Sequence, residues 1–349
     1  MKKNLLICLL PLALVGLTGC KPPVDNSKVY LEYGKVHNVK QTKLEQIAYD
    51  ELKALVDDHR TFVLAVSNDG CTCWTGFQPI LANFNYKYNL DIAHIDVREL
   101  MNASERFGIF VGKSDSPYFL FFKEGKLIRQ AIYGGNNAYS EIFTSESKFE
   151  KYFFENAYLP KMLYVEKTTL DTYISENKEF NLYVARKTCG DCQIANREVL
   201  SKWNTTVATI ENPLYIFDID IYRGTEEYQT IKDTYGLSEV NNPDYGWSTG
   251  FVPAFQHRKG STVEDMCVVL NDGVKEENDK KVLDSYFTSE RVAKLNFLKG
   301  TGTTYVLDGM ELNENQYTYY EGYGYFLKAE VKSELHNPIL KLFIDEYVK

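Results

Sequence analysis

The chain has 349 residues, 44% hydrophobic and 25% charged. That is enough apolar material for two compact cores, and it excludes a wholly disordered, collagen-like or coiled-coil chain. Lys and Arg number 39 against 48 Asp and Glu, a net charge of −9, which argues against nucleic acid as a partner, and the one long apolar run excludes a polytopic membrane protein.

That run is N-terminal. Lys2 and Lys3 precede apolar residues from Leu5 to Val15, broken only by Pro11, and Leu17-Thr18-Gly19-Cys20 follows. A basic start, a short apolar stretch and small residues before a cut describe a secretory signal. The ending L-T-G-C resembles the bacterial lipobox. That resemblance implies removal of residues 1–19, lipid on Cys20 and a chain anchored on the extracytoplasmic face of the cell membrane; a plain cleaved signal with an incidental Cys20 is the alternative. Residues 20–28, with Lys21, Pro22 and Pro23, read as an extended tether.

Two units follow, 29–155 and 156–349. In the first, a helix is expected over Thr42–Asp58, opened by a Thr42–Glu45 capping box. The β-branched and apolar run Thr61–Val66 predicts a buried strand, and Ser67–Gly70 breaks it. Cys71-Thr72-Cys73 comes next, and Trp74, Phe77, Ile80, Leu81 and Phe84 recur at helical spacing. Cys71 therefore lies where a strand turns into a helix N-terminus, a place that stabilises a thiolate. Strand Asp91–Val97, helix Leu100–Phe107, then Ser116-Pro117 leading a strand from Tyr118, and a turn at Glu124-Gly125-Lys126 complete the unit.

The second unit repeats this order. Strand Phe180–Ala185 is followed by the turn Arg186-Lys187-Thr188 and by Cys189-Gly190-Asp191-Cys192. Ile194, Ala195, Val199, Leu200 and Trp203 then mark a helix face. Arg186 and Lys187 add positive charge beside Cys189, and Asp191 opposes it. Strand Leu214–Asp220, helix Glu226–Tyr235, a loop over Ser238–Gly250 near the cysteines, Phe251-Val252-Pro253 and strand Val263–Leu270 come after. An insertion is expected at 271–335: a charged loop Asn271–Lys280, a helical Ser285–Leu298 and a hairpin-like Tyr305–Glu330. A closing helix is placed at Pro338–Val348.

With Cys8 in the signal and Cys20 at the lipid site, five cysteines remain. Cys71/Cys73 and Cys189/Cys192 are too close in sequence to act as long-range staples, which leaves redox chemistry or metal ligation. Cys267, alone on a strand, reads as a buried inert thiol. His94, His257 and His336 show no mutual metal spacing; His257, four residues past Pro253, is either near the second cysteine pair or a surface residue.

Both segments resemble the thioredoxin superfamily in their strand, cysteine-led helix, later proline-led strand and hairpin, with Pro79 matching the proline inside the family's active-site helix. The resemblance implies an α/β fold of two tandem thioredoxin-like domains, each a central mixed β-sheet flanked by helices, the second with insertions. It implies a membrane-anchored, extracytoplasmic thiol–disulfide oxidoreductase with no cofactor and no metal. Cys189, Cys192, Cys71 and Cys73 would be catalytic; Ser116, Pro117, Val252 and Pro253 would bind clients, with Pro117 and Pro253 in the family's cis-proline place. Partners would be exported protein thiols or disulfides, the membrane through the lipid on Cys20, and a membrane electron-transfer protein.

Departures from the family pattern set further expectations. C-T-C puts Trp74 in the usual resolving position and closes a smaller, strained ring, suited to an oxidising or isomerising pair; a decayed first site and a four-cysteine zinc site are the alternatives. Ala65 and Tyr183 stand where many members bury an acidic proton relay, so the proton must come from water or another side chain. Cys189/Cys192 is expected to be the working pair and Cys71/Cys73 auxiliary. The competing function is a non-catalytic thioredoxin-fold lipoprotein that binds or scaffolds proteins. A solute-binding lipoprotein fits two such strand–helix junctions poorly.

Overall fold

The computed structural model describes residues 27–41, 43–101, 117–131, 141–204, 212–248, 250–301 and 305–348. The chain builds two mixed sheets with helices packed against them. Cys20, Thr42 and Ser116, and most of the expected helix Leu100–Phe107, lie outside the described residues.

The first sheet is made of β3 (Phe62–Ser67), β4 (His94–Asp96), β5 (Tyr118–Lys123) and β6 (Lys126–Ala131), in the spatial order β4-β3-β5-β6. β4 runs parallel to β3, while β5 and β6 run antiparallel to their neighbours. Side chains alternate across a strand, and both faces of this sheet are covered. Val63 and Ala65 with Phe119 and Phe121 face a core containing Trp74, Phe77, Phe84, Phe149 and Phe153. Leu64 and Val66 with Leu120 and Phe122 face Leu52, Ile95 and Leu100. Burial on both faces is why these strands read as unbroken apolar runs. Glu124 and Gly125 both take positive φ, the geometry of a tight two-residue hairpin turn.

The second sheet is made of β2 (Gly34–Lys35), β8 (Met162–Tyr164), β9 (Glu179–Ala185), β10 (Leu214–Asp218), β11 (Ala254–Lys259) and β12 (Thr262–Val268). Their spatial order is β12-β11-β9-β10-β8-β2. β10, β9, β11 and β12 reproduce the order and senses of β4, β3, β5 and β6. β8 and β2 extend the parallel side. β2 arrives from the N-terminal segment, and Gly34 is required there: a Cβ would sit 2.1 Å from the Asn89 carbonyl oxygen. Just before it, β1 (Val29–Tyr30) pairs with β7 (Ala157–Tyr158), and Lys28 donates to the Phe154 carbonyl at 2.9 Å, so the end of the expected tether is pinned to the fold.

Three expectations are corrected. The first helix starts at Tyr49 and runs to Asp57, because the backbone around Ile47 is drawn out as an extra partner of His94: Ile47 N–H donates to the His94 carbonyl and His94 N–H to the Glu45 carbonyl. Glu51 then accepts from Ala48 N–H at 2.8 Å, serving as the cap. The segment expected as a charged loop at 271–280 is instead the first half of a hairpin, β13 (Gly273–Glu277) and β14 (Lys280–Asp284). Its turn residues Asn278 and Asp279 have positive φ, as a two-residue hairpin demands. The closing helix begins at Ala329 and continues through Pro338 to Tyr347. Burial of His336, Ile339, Leu340, Phe343 and Ile344 on one side outweighs the hydrogen bond that the proline forgoes.

Between β14 and the closing helix lie a short helix Ser289–Lys294 and a hairpin of β15 (Tyr317–Tyr320) and β16 (Gly324–Leu327). Among the described residues no helix is long and apolar enough to cross a membrane.

Candidate thiol site

β9 carries the chain from the core to its surface end, and the turn after it delivers Cys189 to the start of the helix Gly190–Ala195. The turn is held from β10's side. Asp220 accepts from Thr188 N–H at 2.7 Å, from the Thr188 hydroxyl at 3.0 Å and from Arg186 Nε at 3.0 Å. Arg186 is thus committed to Asp220, which leaves exposed Lys187 as the other positive charge of that turn. The Arg186 charge also acts on the Cys189 sulfur, as the sequence suggests; the capping role of Asp220 has no local signal.

Cys189 is half-buried and Cys192 is 1% exposed. Cys192 N–H points at Cys189 Sγ, 3.4 Å away. When protonated, Cys189 donates to the Val252 carbonyl at 3.7 Å. This brings Val252, whose peptide bond to Pro253 is cis, onto the Cys189 sulfur.

The Cys189 thiol is held down at about 6, first by a hydrogen bond from the Cys192 thiol and then by the Cys192 backbone N–H, against burial and the Asp191 charge. Cys192 is pushed strongly upward by the same pairing and by its own burial. One sulfur is poised as thiolate and its neighbour is a proton-bearing partner behind it. Alkylation of Cys189 should therefore rise with pH through a midpoint of about 6 and level off above neutrality, read by mass spectrometry; a midpoint near the ordinary thiol value would contradict this arrangement.

Tyr183, in the centre of β9, is fully buried, stacks on Phe255 at 4.3 Å and donates to the Cys192 carbonyl at 3.4 Å. Burial raises its pKa well above the ordinary value, so it is a donor here and no acceptor of the Cys192 proton.

Cys71 caps the helix Thr72–Tyr88, which contains Pro79, and is disulfide-bonded to Cys73. Trp74 is buried beside His94, ring centroids 4.9 Å apart. Pro117 is buried immediately before β5.

Cys267 is fully buried on β12, where burial drives its thiol far up. His257 lies away from Cys189. It pairs across the sheet with Asn181, hydrogen-bonds to it at 3.0 Å and stacks on Tyr347. His336 is buried against Asp272 at 2.6 Å. Among the described residues no group of three or more His, Cys, Asp or Glu could hold a metal ion.

No family model and no curated protein matches the chain. Solved structures that resemble it have the thioredoxin fold. The oxidised form of mitochondrial thioredoxin 3 from Saccharomyces cerevisiae is 18% identical, with 32% of this chain and 94% of that one covered at a TM-score of 0.24. Thioredoxin NaTrxh from Nicotiana alata is 19% identical, with 34% and 98% covered at 0.24.

Proposed function

We propose that this chain is a membrane-anchored, extracytoplasmic thiol–disulfide oxidoreductase built of two tandem thioredoxin-like units, acting on exported proteins through Cys189 and Cys192. The observation that carries the reading is the unequal pair: half-exposed Cys189, whose sulfur accepts the Cys192 N–H at 3.4 Å and whose pKa is lowered, in front of the buried Cys192 thiol. Cys189 thiolate attacks one sulfur of a client disulfide; that bond breaks and the departing client sulfur takes a proton. Cys192, giving its proton to solvent, then attacks Cys189, releases the second client thiol and leaves a Cys189–Cys192 disulfide. The client gains two electrons and two protons, and the reverse sequence oxidises a client dithiol. Val252 and Pro253 would line the client's approach, as Ser116 and Pro117 would in the first unit. The test is disulfide exchange with a model peptide by the purified chain, with Cys189→Ser as control.

A second reading, a protein-binding module without turnover, is favoured by one observation: Tyr183 stands behind Cys192 as a donor, so that side chain does not serve as the base of the resolving step.

The anchor has its own expected result. Cys20→Ala should abolish lipid labelling and release the chain from the membrane fraction or leave it unprocessed. Unchanged processing and retention would remove the lipoprotein part of the proposal.

A further inference from the structure

Gly190 and Asp191 lie between the two cysteines, and Asp191 is the charged one. The Asp191 charge opposes ionisation of Cys189, yet Asp191 does not stand alone. Lys332 Nζ lies 3.2 and 3.3 Å from its two carboxylate oxygens, across 141 residues of sequence. The two side chains are 18% and 23% exposed, so water screens this pair less than a surface ion pair.

Lys332 is placed by structure on both sides. Its N–H donates to the Lys328 carbonyl at 3.0 Å, in the first turn of the closing helix, and Lys328 N–H donates to the Gln316 carbonyl at 3.0 Å, at the foot of the β15–β16 hairpin. Farther along the same helix, Asn337 donates to Glu198 at 3.0 Å, on the helical segment that Cys189 begins. The closing helix is therefore tied to the cysteine-led segment at two points, and the inserted hairpin anchors the turn that carries the lysine. Other charged and titratable groups on these segments have their own surroundings: His336, one turn beyond Lys332, is buried against Asp272. Arg186 is bound to Asp220, Lys187 is exposed, Glu198 is paired with Arg197, and Tyr183 donates to Cys192.

We infer that Lys332 is a positioning residue for the thiol site: it holds and neutralises Asp191, and so couples the inserted C-terminal segment to the charge balance at the Cys189 sulfur. This rests on the reading of Cys189 as the reacting thiolate.

The test is the pH profile of Cys189 alkylation by iodoacetamide in the full chain, for the wild type, Lys332→Met, Lys332→Arg, Asp191→Asn and the double variant Asp191→Asn/Lys332→Met. Lys332→Met should move the midpoint upward by roughly half to one unit, slowing alkylation at pH 5 roughly three- to tenfold, and Lys332→Arg should restore it. Asp191→Asn should move the midpoint downward. Adding Lys332→Met to it should then change little, because without the carboxylate nothing holds the ammonium beside the motif. An unmoved midpoint in Lys332→Met, with thermal melting unchanged, overturns the inference. So does an equal shift in both backgrounds, which would mean a charge acting without Asp191. Peptide disulfide exchange is measured on the same samples. Lost exchange in the wild type with a lysine-dependent midpoint sinks the oxidoreductase reading and leaves the lysine's role standing; intact exchange with an unmoved midpoint does the opposite.

Discussion

Cys189→Ser should lower disulfide exchange by more than about a hundredfold, because a serine hydroxyl does not ionise near neutral pH and cannot form the mixed disulfide. Cys192→Ala should do something different. It keeps the attacking sulfur and removes the resolving one, so clients should accumulate covalently on Cys189, visible as adducts that thiol reductant dissolves. The same substitution removes the hydrogen bond that does most to lower the Cys189 pKa, so its alkylation midpoint should rise. Trapping is therefore best sought near pH 8, where that loss matters least. Cys73→Ala frees Cys71 from its disulfide but should trap less, since the turn before Cys71 carries Asp69 and neither lysine nor arginine, whereas Arg186 and Lys187 precede Cys189. Adducts on the Cys73 variant alone would reverse the assignment of the two pairs. Adducts on neither variant would favour the binding-module reading.

Much of this is legible in the chain because it rests on local chemistry. Strands such as Phe62–Ser67 and Glu179–Ala185 are buried on both faces over most of their length, and their central stretches, 63–66 and 182–185, are continuously apolar. A cysteine directly after such a strand, followed by residues at helical spacing, marks a helix start. What stays hidden is tertiary. Nothing near Ile47 announces that its N–H will pair with His94 and delay a helix. Nothing near Pro338 announces that a buried His336–Asp272 contact will carry a helix through it. The Asn278-Asp279 turn is readable as a hairpin signal, but the surrounding charges disguise its strands, since that hairpin is half-exposed. The electrostatics of the thiol site are the least legible part. Arg186 is held by Asp220 while its charge still acts on Cys189, and a second cation, on Asp191, comes from a helix 141 residues away.

Arg291→Met should cost about 3 kcal/mol of stability, because its guanidinium joins several buried groups at once. The side chain is 8% exposed. It donates to the Tyr286 carbonyl at 3.0 Å and the Gly246 carbonyl at 2.9 Å, and it pairs with Glu239. It also lies 4.3 Å from the Tyr286 ring centroid, with Trp247 at 5.8 Å. Methionine keeps the stem's bulk and leaves both carbonyls without that donor, so the loss reads the hydrogen bonds more than the packing. Glu239→Gln, by contrast, should cost less than about 1 kcal/mol, since that carboxylate's side chain is 44% exposed and already shared with water. The loop that Arg291 fastens is closely fitted: a Cβ on Gly246 would fall 2.5 Å from the Ser238 backbone. From there the chain runs through Trp247 and Phe251, whose rings lie 6.4 Å apart, to Val252 at the Cys189 sulfur. Urea unfolding of the two variants separates the cases. Equal small losses would show that the loop is held by its own turns, while a large loss confined to Arg291→Met, with faster backbone exchange over 238–248, would show that the short helix Ser289–Lys294 clamps the approach to the thiol.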